Sequence, residues 1–197
     1  MATTSSTPVA PARSRHIPGE AGLWVLLFGD MTVFAVLFAV FLTHRGEQPA
    51  VFAASQGTLD RGFGAFNTLL LLTSSLLVVL ATREVRGPSP ERAPRLLTGA
   101  MACGAGFIVV KGFEYHAVFA GSVTPATNSF YTYYLVLTGL HLAHLCVGLV
   151  VLGVLTALSR SGPVTEGRFL LFEGGACFWH MVDLLWIVIF PLLYLVR

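Results

Sequence analysis

The residues with the most chemistry in this chain stand where water does not reach. Asp30, Lys111, Glu114, His141, His144, Glu173, His180 and Asp183 all fall inside long apolar runs. An ionisable side chain at the centre of a membrane helix costs roughly 2.5–3.5 kcal/mol on insertion scales, so each needs a partner or a function. Spacing groups them. Lys111 and Glu114 stand at i and i+3, one above the other on a helix, and can pair there. His141 and His144 have the same spacing and share a face. Glu173, Cys177 and His180 follow helical spacing and Asp183 continues the stripe, which gives the last apolar run one polar seam facing inward.

Three kinds of chemistry fit such groups. His-x-x-His with carboxylates on facing helices can ligate a metal, as in helix bundles built from Glu-x-x-His and Glu. An autonomous metalloenzyme would then use His141, His144, His180, Glu114 and Glu173. Buried Asp and His also suit a proton relay or a transporter. Against a transporter, the sequence has no inverted repeat and no matched pair of Pro- or Gly-broken spans. The third reading is that these groups satisfy one another by hydrogen bonds between helices. The absence of Glu-x-x-His and of any repeated motif favours it, with no metal held in this chain.

The elements that must position these residues follow from composition. The chain has 197 residues, 55% hydrophobic, 15 of them Phe, and only 11% charged. Soluble domains carry about 25% charged residues. A soluble enzyme, a disordered chain and a secreted disulfide scaffold are excluded. A net charge of +2 gives no footprint for nucleic acid. The three cysteines, Cys103, Cys146 and Cys177, form no CxxC pair and imply neither a disulfide framework nor a zinc site. What remains is an all-α polytopic membrane protein.

Five runs are long enough to cross a bilayer, which needs about 20 residues. They are Glu20–Thr43, Phe63–Thr82, Leu96–Phe119, Phe130–Leu158 and Phe169–Val196. Segments rich in Pro, Gly and charge separate them, beginning with HRGEQPAVFAASQGTLDRG after the first. Residues 1–19 read as a flexible tail and 20–197 as one five-helix membrane domain. Arg13, Arg15, Arg83, Arg86, Arg92, Arg95, Arg160 and Arg168 fall on one side and outnumber Arg45, Arg61 and Arg197 on the other. The excess places the N-terminus inside and the C-terminus outside. At about 1.5 Å per residue, Asp30, His144 and Asp183 lie at similar depth, so a polar layer near the midplane is expected, with Glu114 as an outward branch. Tyr131, Tyr133 and Tyr134 open the fourth run and suit an outer interface, whereas Trp179 and Trp186 are too central for a belt and pack internally or line a cavity. The small residues of Gly99–Gly106 allow close helix packing inside the bundle.

Four segments carry a family resemblance. They are GLWVLLFGDMTVFAVLF (Gly22–Phe38), FNTLLLLTSS (Phe66–Ser75), KGFEYHAVFAGSVTPATNSFYTYYLVLTGLHLAHLCVG (Lys111–Gly148) and FEGGACFWHMVDLLWIVIFPLLY (Phe172–Tyr194). The last two are long and specific. With them the chain resembles subunit III of the haem–copper respiratory oxidases, in its short five-helix bacterial form. The segment PGEAGLWVLLFGDM is also similar to a branch associated with nitric oxide reductase. The resemblance implies a non-catalytic subunit of the bacterial cytoplasmic membrane. It packs against a catalytic subunit I beside a copper-binding subunit II, or against a nitric oxide reductase core. Haem and copper belong to those partners, and this chain supports assembly, phospholipid binding and proton uptake. By position Asp30 matches the family's buried carboxylate, Glu114 its Glu-Tyr glutamate, and His141 and His144 its paired histidines. Glu173, His180, Asp183 and Trp186 match its last-helix set. The resemblance makes all eight lipid or proton-path residues rather than metal ligands. Three departures stand out: Asp30 replaces the usual Glu, Lys111 occupies a position usually neutral, and Phe178 stands where Tyr or Trp is usual.

Overall fold

The computed structural model describes residues 21–120, 128–162 and 164–196. The tail, the reading of Arg13 and Arg15, the end residue Arg197 and most of the third loop lie outside them. Among the described residues six α-helices follow one another: α1 (Ala21–Glu47), α2 (Pro49–Gln56), α3 (Arg61–Glu84), α4 (Ala93–Ala120), α5 (Ser129–Arg160) and α6 (Glu166–Phe190), the last prolonged by a wide turn over Pro191–Leu195. All but α2 are long and apolar enough to cross a membrane. The chain is all-α.

Hydrophobic spacing decides how α3 and α4 meet. The buried residues of α3 are Gly64, Asn67, Leu71, Ser74, Val78 and Ala81. Those of α4 are Ala93, Leu97, Ala100, Gly104, Phe107, Lys111 and Glu114. Both sets step by alternating threes and fours, the repeat that keeps one seam of a helix on its neighbour. Small residues on both seams bring the backbones close enough for Ser74 Oγ to donate to the Ala100 carbonyl at 2.9 Å. The same seam carries Lys111 and Glu114 into the interior. Helices α5 and α6 complete a four-helix core, and α6 is enclosed on most of its surface. Ala100 and Gly104 lie within this core, as the small-residue reading held.

Helix α1 stands on the flank. Among its described residues only Leu27, Phe34 and Phe41 are buried, one per seven residues. Its outer faces present Val25, Phe28, Val33 and Val36, which suits hydrocarbon rather than water. Helix α2 lies in the segment expected to be a plain loop. Pro49 stands in its first turn, where a missing N–H costs nothing. Phe52 is its anchor, buried edge-on against Phe41 at 5.4 Å and Phe130 at 5.6 Å.

The helix ends on this side are tied together. Asp60 caps α3 by accepting from Gly62 N at 2.7 Å. Asn128 caps α5 by accepting from Tyr131 N and donates from Nδ2 to Ser55 Oγ at 2.8 Å. Pro191 ends α6, since it has no N–H and its ring crowds the preceding turn. The chain then widens, and Val196 N reaches back to the Pro191 carbonyl at 2.9 Å. That turn swings Tyr194 into the core. The opposite end of the bundle carries Arg83, Arg86, Arg92, Arg95 and Arg160.

Candidate functional site

The polar residues inside the bundle form three sites. The most enclosed is built on Lys111 and Glu114, which are 1% and 3% exposed. Lys111 Nζ donates to Glu114 Oε1 at 3.1 Å, to Tyr134 Oη at 3.1 Å and to Tyr194 Oη at 2.8 Å. Its three N–H groups are thereby used. Tyr134 donates to the same Glu114 oxygen at 2.5 Å, and Tyr194 donates to it as well. The Lys111 ammonium also faces the rings of Tyr134 and Trp186, at 4.8 and 5.3 Å from their centroids. A buried ion pair repays its desolvation only with such added hydrogen bonds. Four residues from α4, α5 and the turn after α6 therefore close one charge-neutral knot.

The pairing of Lys111 with Glu114 is the one expected from their spacing. The two tyrosines are not where the sequence put them. Tyr131 and Tyr134 are buried rather than set in an interfacial belt. A phenol with an inward acceptor gains more from that bond than from the bilayer surface. Tyr131 shares a 2.9 Å hydrogen bond with Thr58, and Tyr134 serves Glu114. Tyr194 had no signal beyond its place after a helix-breaking proline.

The second site lies one layer deeper. His141 is fully buried, with its ring against Phe107 at 5.4 Å and Trp186 at 5.3 Å. Neither ring nitrogen has a hydrogen-bond partner. Trp186 donates from Nε1 to Thr68 Oγ1 at 3.0 Å. Next along α6, Asp183 is buried and His180 half-buried. Ser75 Oγ bonds His180 Nδ1 at 2.7 Å. Both oxygens of the Asp183 carboxylate are without a hydrogen-bond partner. Trp179 is buried with its Nε1 unpartnered, and so is the amide of Asn67.

The third site is the seam between α1 and α5. His144 Nε2 meets Asp30 Oδ2 at 3.4 Å, His144 Nδ1 bonds the Leu140 carbonyl at 2.8 Å, and Phe34 stands edge-on to the imidazole at 5.6 Å. His141 and His144 thus diverge, one toward the core and one toward α1. A helix face that spans i to i+3 is wide enough to serve two neighbours. The expected midplane layer is resolved into separate contacts for the same reason. Similar depth does not bring groups together when they point to different gaps. Glu173 is half-buried on α6, near Cys177.

The metal reading required His141, His144, His180, Glu114 and Glu173 to converge. They do not. Among the described residues no three of His, Cys, Asp and Glu gather as a metal site. His141, His144 and His180 each sit in a separate gap, and Glu114 Oε1 is saturated.

Comparison with known proteins now decides the family. The model of cytochrome c oxidase subunit III matches residues 20–196. The chain belongs to the cytochrome c oxidase subunit III family. It is 30% identical to cytochrome c oxidase subunit 3 of Alkalihalophilus pseudofirmus, over 98% of this chain and 95% of that one. It is 32% identical to cytochrome c oxidase subunit 3 of Thermostichus vulcanus, over 88% and 85%. A third relative is the cytochrome bo(3) ubiquinol oxidase subunit 3 of Pseudomonas putida, 28% identical over 88% and 84%. The chain is accordingly an integral membrane, subunit-III-like component of a haem–copper oxidase, in a family of non-catalytic structural subunits.

Proposed function

We propose that this chain is the third subunit of a proton-translocating, O2-reducing oxidase in a bacterial cytoplasmic membrane. Its arginine-bearing end faces the cytoplasm and its C-terminus faces outward. It packs against catalytic subunit I beside copper-binding subunit II, which hold the haem and copper. Its own contributions are assembly, phospholipid binding and support of proton uptake. The observation that carries this reading is the family match along residues 20–196, in a bundle whose buried Lys111 and Glu114 neutralise one another.

The eight candidate residues divide by exposure. Glu114, His141, Asp183 and Trp186 are buried and specify how the helices meet. Glu173 and His180 line the half-open side of α6. Asp30 and His144 are 30% and 18% exposed, enough to exchange protons or touch a lipid at the edge of the core. They are the best placed for proton support.

A nitric-oxide-reducing core is the second reading, favoured by the PGEAGLWVLLFGDM segment. The relatives named above are cytochrome c and ubiquinol oxidase subunits, which favours an oxidase. Asp30→Asn separates structure from proton support. A partly exposed ion pair is worth about 0–1 kcal/mol, so the complex should assemble with its haem. Oxygen consumption is expected to be slower than in the wild type and to decay faster during sustained turnover. Unchanged turnover and unchanged lifetime would remove proton support from this residue.

A further inference from the structure

Glu114 has a second oxygen that the knot does not use. Oε1 takes all the available donors, while Oε2 is buried without a hydrogen-bond partner. Leaving a carboxylate oxygen without a donor is costly. Glu114 is also one of the residues lining a cleft of about 250 Å³ at the α2 end of the bundle. Asp60, Thr58, Phe63, Val118 and Tyr131 line the same cleft.

We propose that this cleft is a binding site for a primary ammonium group. Four observations select that chemistry. The cleft is lined by two acidic residues, Glu114, whose Oε2 is left without a donor, and the exposed Asp60 at its edge. Lys111, the cation paired with Glu114, has spent its three donors on the knot. Phe63 and Tyr131 add aromatic rings, which attract an ammonium. The bonded hydroxyls of Thr58 and Tyr131 add lone pairs. A metal ion fits less well, since no third carboxylate, His or Cys joins the two acids among the described residues.

Depth supports the same class. Glu114 lies roughly 9 Å from the end of α4, at 1.5 Å per residue. An amine held at headgroup level can reach it. Both a free alkylammonium and the ethanolamine headgroup of a phospholipid present that chemistry. The inference does not depend on which core the subunit serves.

The test uses the full chain purified from its membrane with its bound subunits. Its unfolding midpoint is followed against ethylammonium, sodium and tetramethylammonium chlorides at equal concentration. Tetramethylammonium carries the charge but no N–H. At about five times its dissociation constant ethylammonium should raise the midpoint by about 2–4 °C above the other two. The shift should vanish in Lys111→Gln/Glu114→Gln, which removes both charges together, and shrink in Asp60→Asn, which keeps the α3 cap. If the double variant does not fold, Asp60→Asn and Phe63→Leu read the same effect. Phosphatidylethanolamine that co-purifies in fixed ratio with the wild type and is reduced in the variants identifies a lipid headgroup. A wild type free of it that still responds to ethylammonium identifies a free amine. Equal shifts with all three salts, or an unaltered shift in the variants, overturn the proposal.

Discussion

Lys111→Met is expected to cost the bundle about 3–5 kcal/mol, the usual penalty for leaving one partner of a buried pair uncompensated. Methionine fills a similar volume, so the loss is electrostatic. The Glu114 carboxylate would keep its two tyrosine donors and lose its only cation. For a domain of this size the unfolding midpoint should fall roughly 6–20 °C, with less folded chain in the membrane. Lys111→Met/Glu114→Gln should recover much of the loss. The glutamine carbonyl still accepts from Tyr134 and Tyr194, and no charge is left unpaired. A coupling energy of about 0.5–3 kcal/mol between the two sites is expected from the double-mutant cycle. Additive effects would show that Lys111 and Glu114 act independently, and the knot would not be the unit described.

Gly148→Ala is the second large effect. A Cβ there would lie 2.7 Å from Trp179 Cε3 and 2.8 Å from Cζ3. Elsewhere on the same ring, a Cβ on Gly104 would lie 2.9 Å from Trp179 Cη2 and 2.9 Å from Leu149 Cδ2. Trp179 thus packs against bare backbone on α4 and α5, with no room for a methyl at either contact. Overpacking of this kind costs about 1–3 kcal/mol, more than the up to about 1 kcal/mol that alanine gains in a helix. Both single variants should unfold at lower temperature. The two losses should not simply add, because both methyls press on one indole. Gly139→Ala is the control. Nothing lies within 4 Å of its added Cβ, so it should be neutral or slightly stabilising. A loss at Gly139 equal to that at Gly148 would refute the packing explanation.

What the sequence could show is set by what a linear pattern encodes. Apolar length located the five spanning helices. The i,i+3 step paired Lys111 with Glu114. These are properties of one helix or of a continuous stripe. The rest depends on which gap each side chain enters. Tyr134 was read as interfacial because tyrosines near a helix end usually are, and only the third dimension shows Glu114 across from it. Tyr194 reaches the same carboxylate through the widened turn after Pro191, a geometry no spacing rule predicts. Asp30 and His144 were matched in depth, and the structure adds that they face each other. His141, three residues from His144, faces an aromatic wall instead. The short α2 was missed because eight residues are too few to show a period, although Pro49 ahead of a run of helix formers was a signal.

The central claim is that this chain works as the third subunit of a haem–copper oxidase. The most direct measurement is purification of the tagged full chain from its native membrane in mild detergent. The visible spectrum of the product is then read, and its subunits are identified by mass spectrometry. Haem bands accompanied by a large many-helix subunit and a copper-binding subunit are expected. A nitric oxide reductase core in their place would move the chain to the accessory role. A colourless chain that brings down no haem-bearing partner under conditions that preserve the oxidase would contradict the claim.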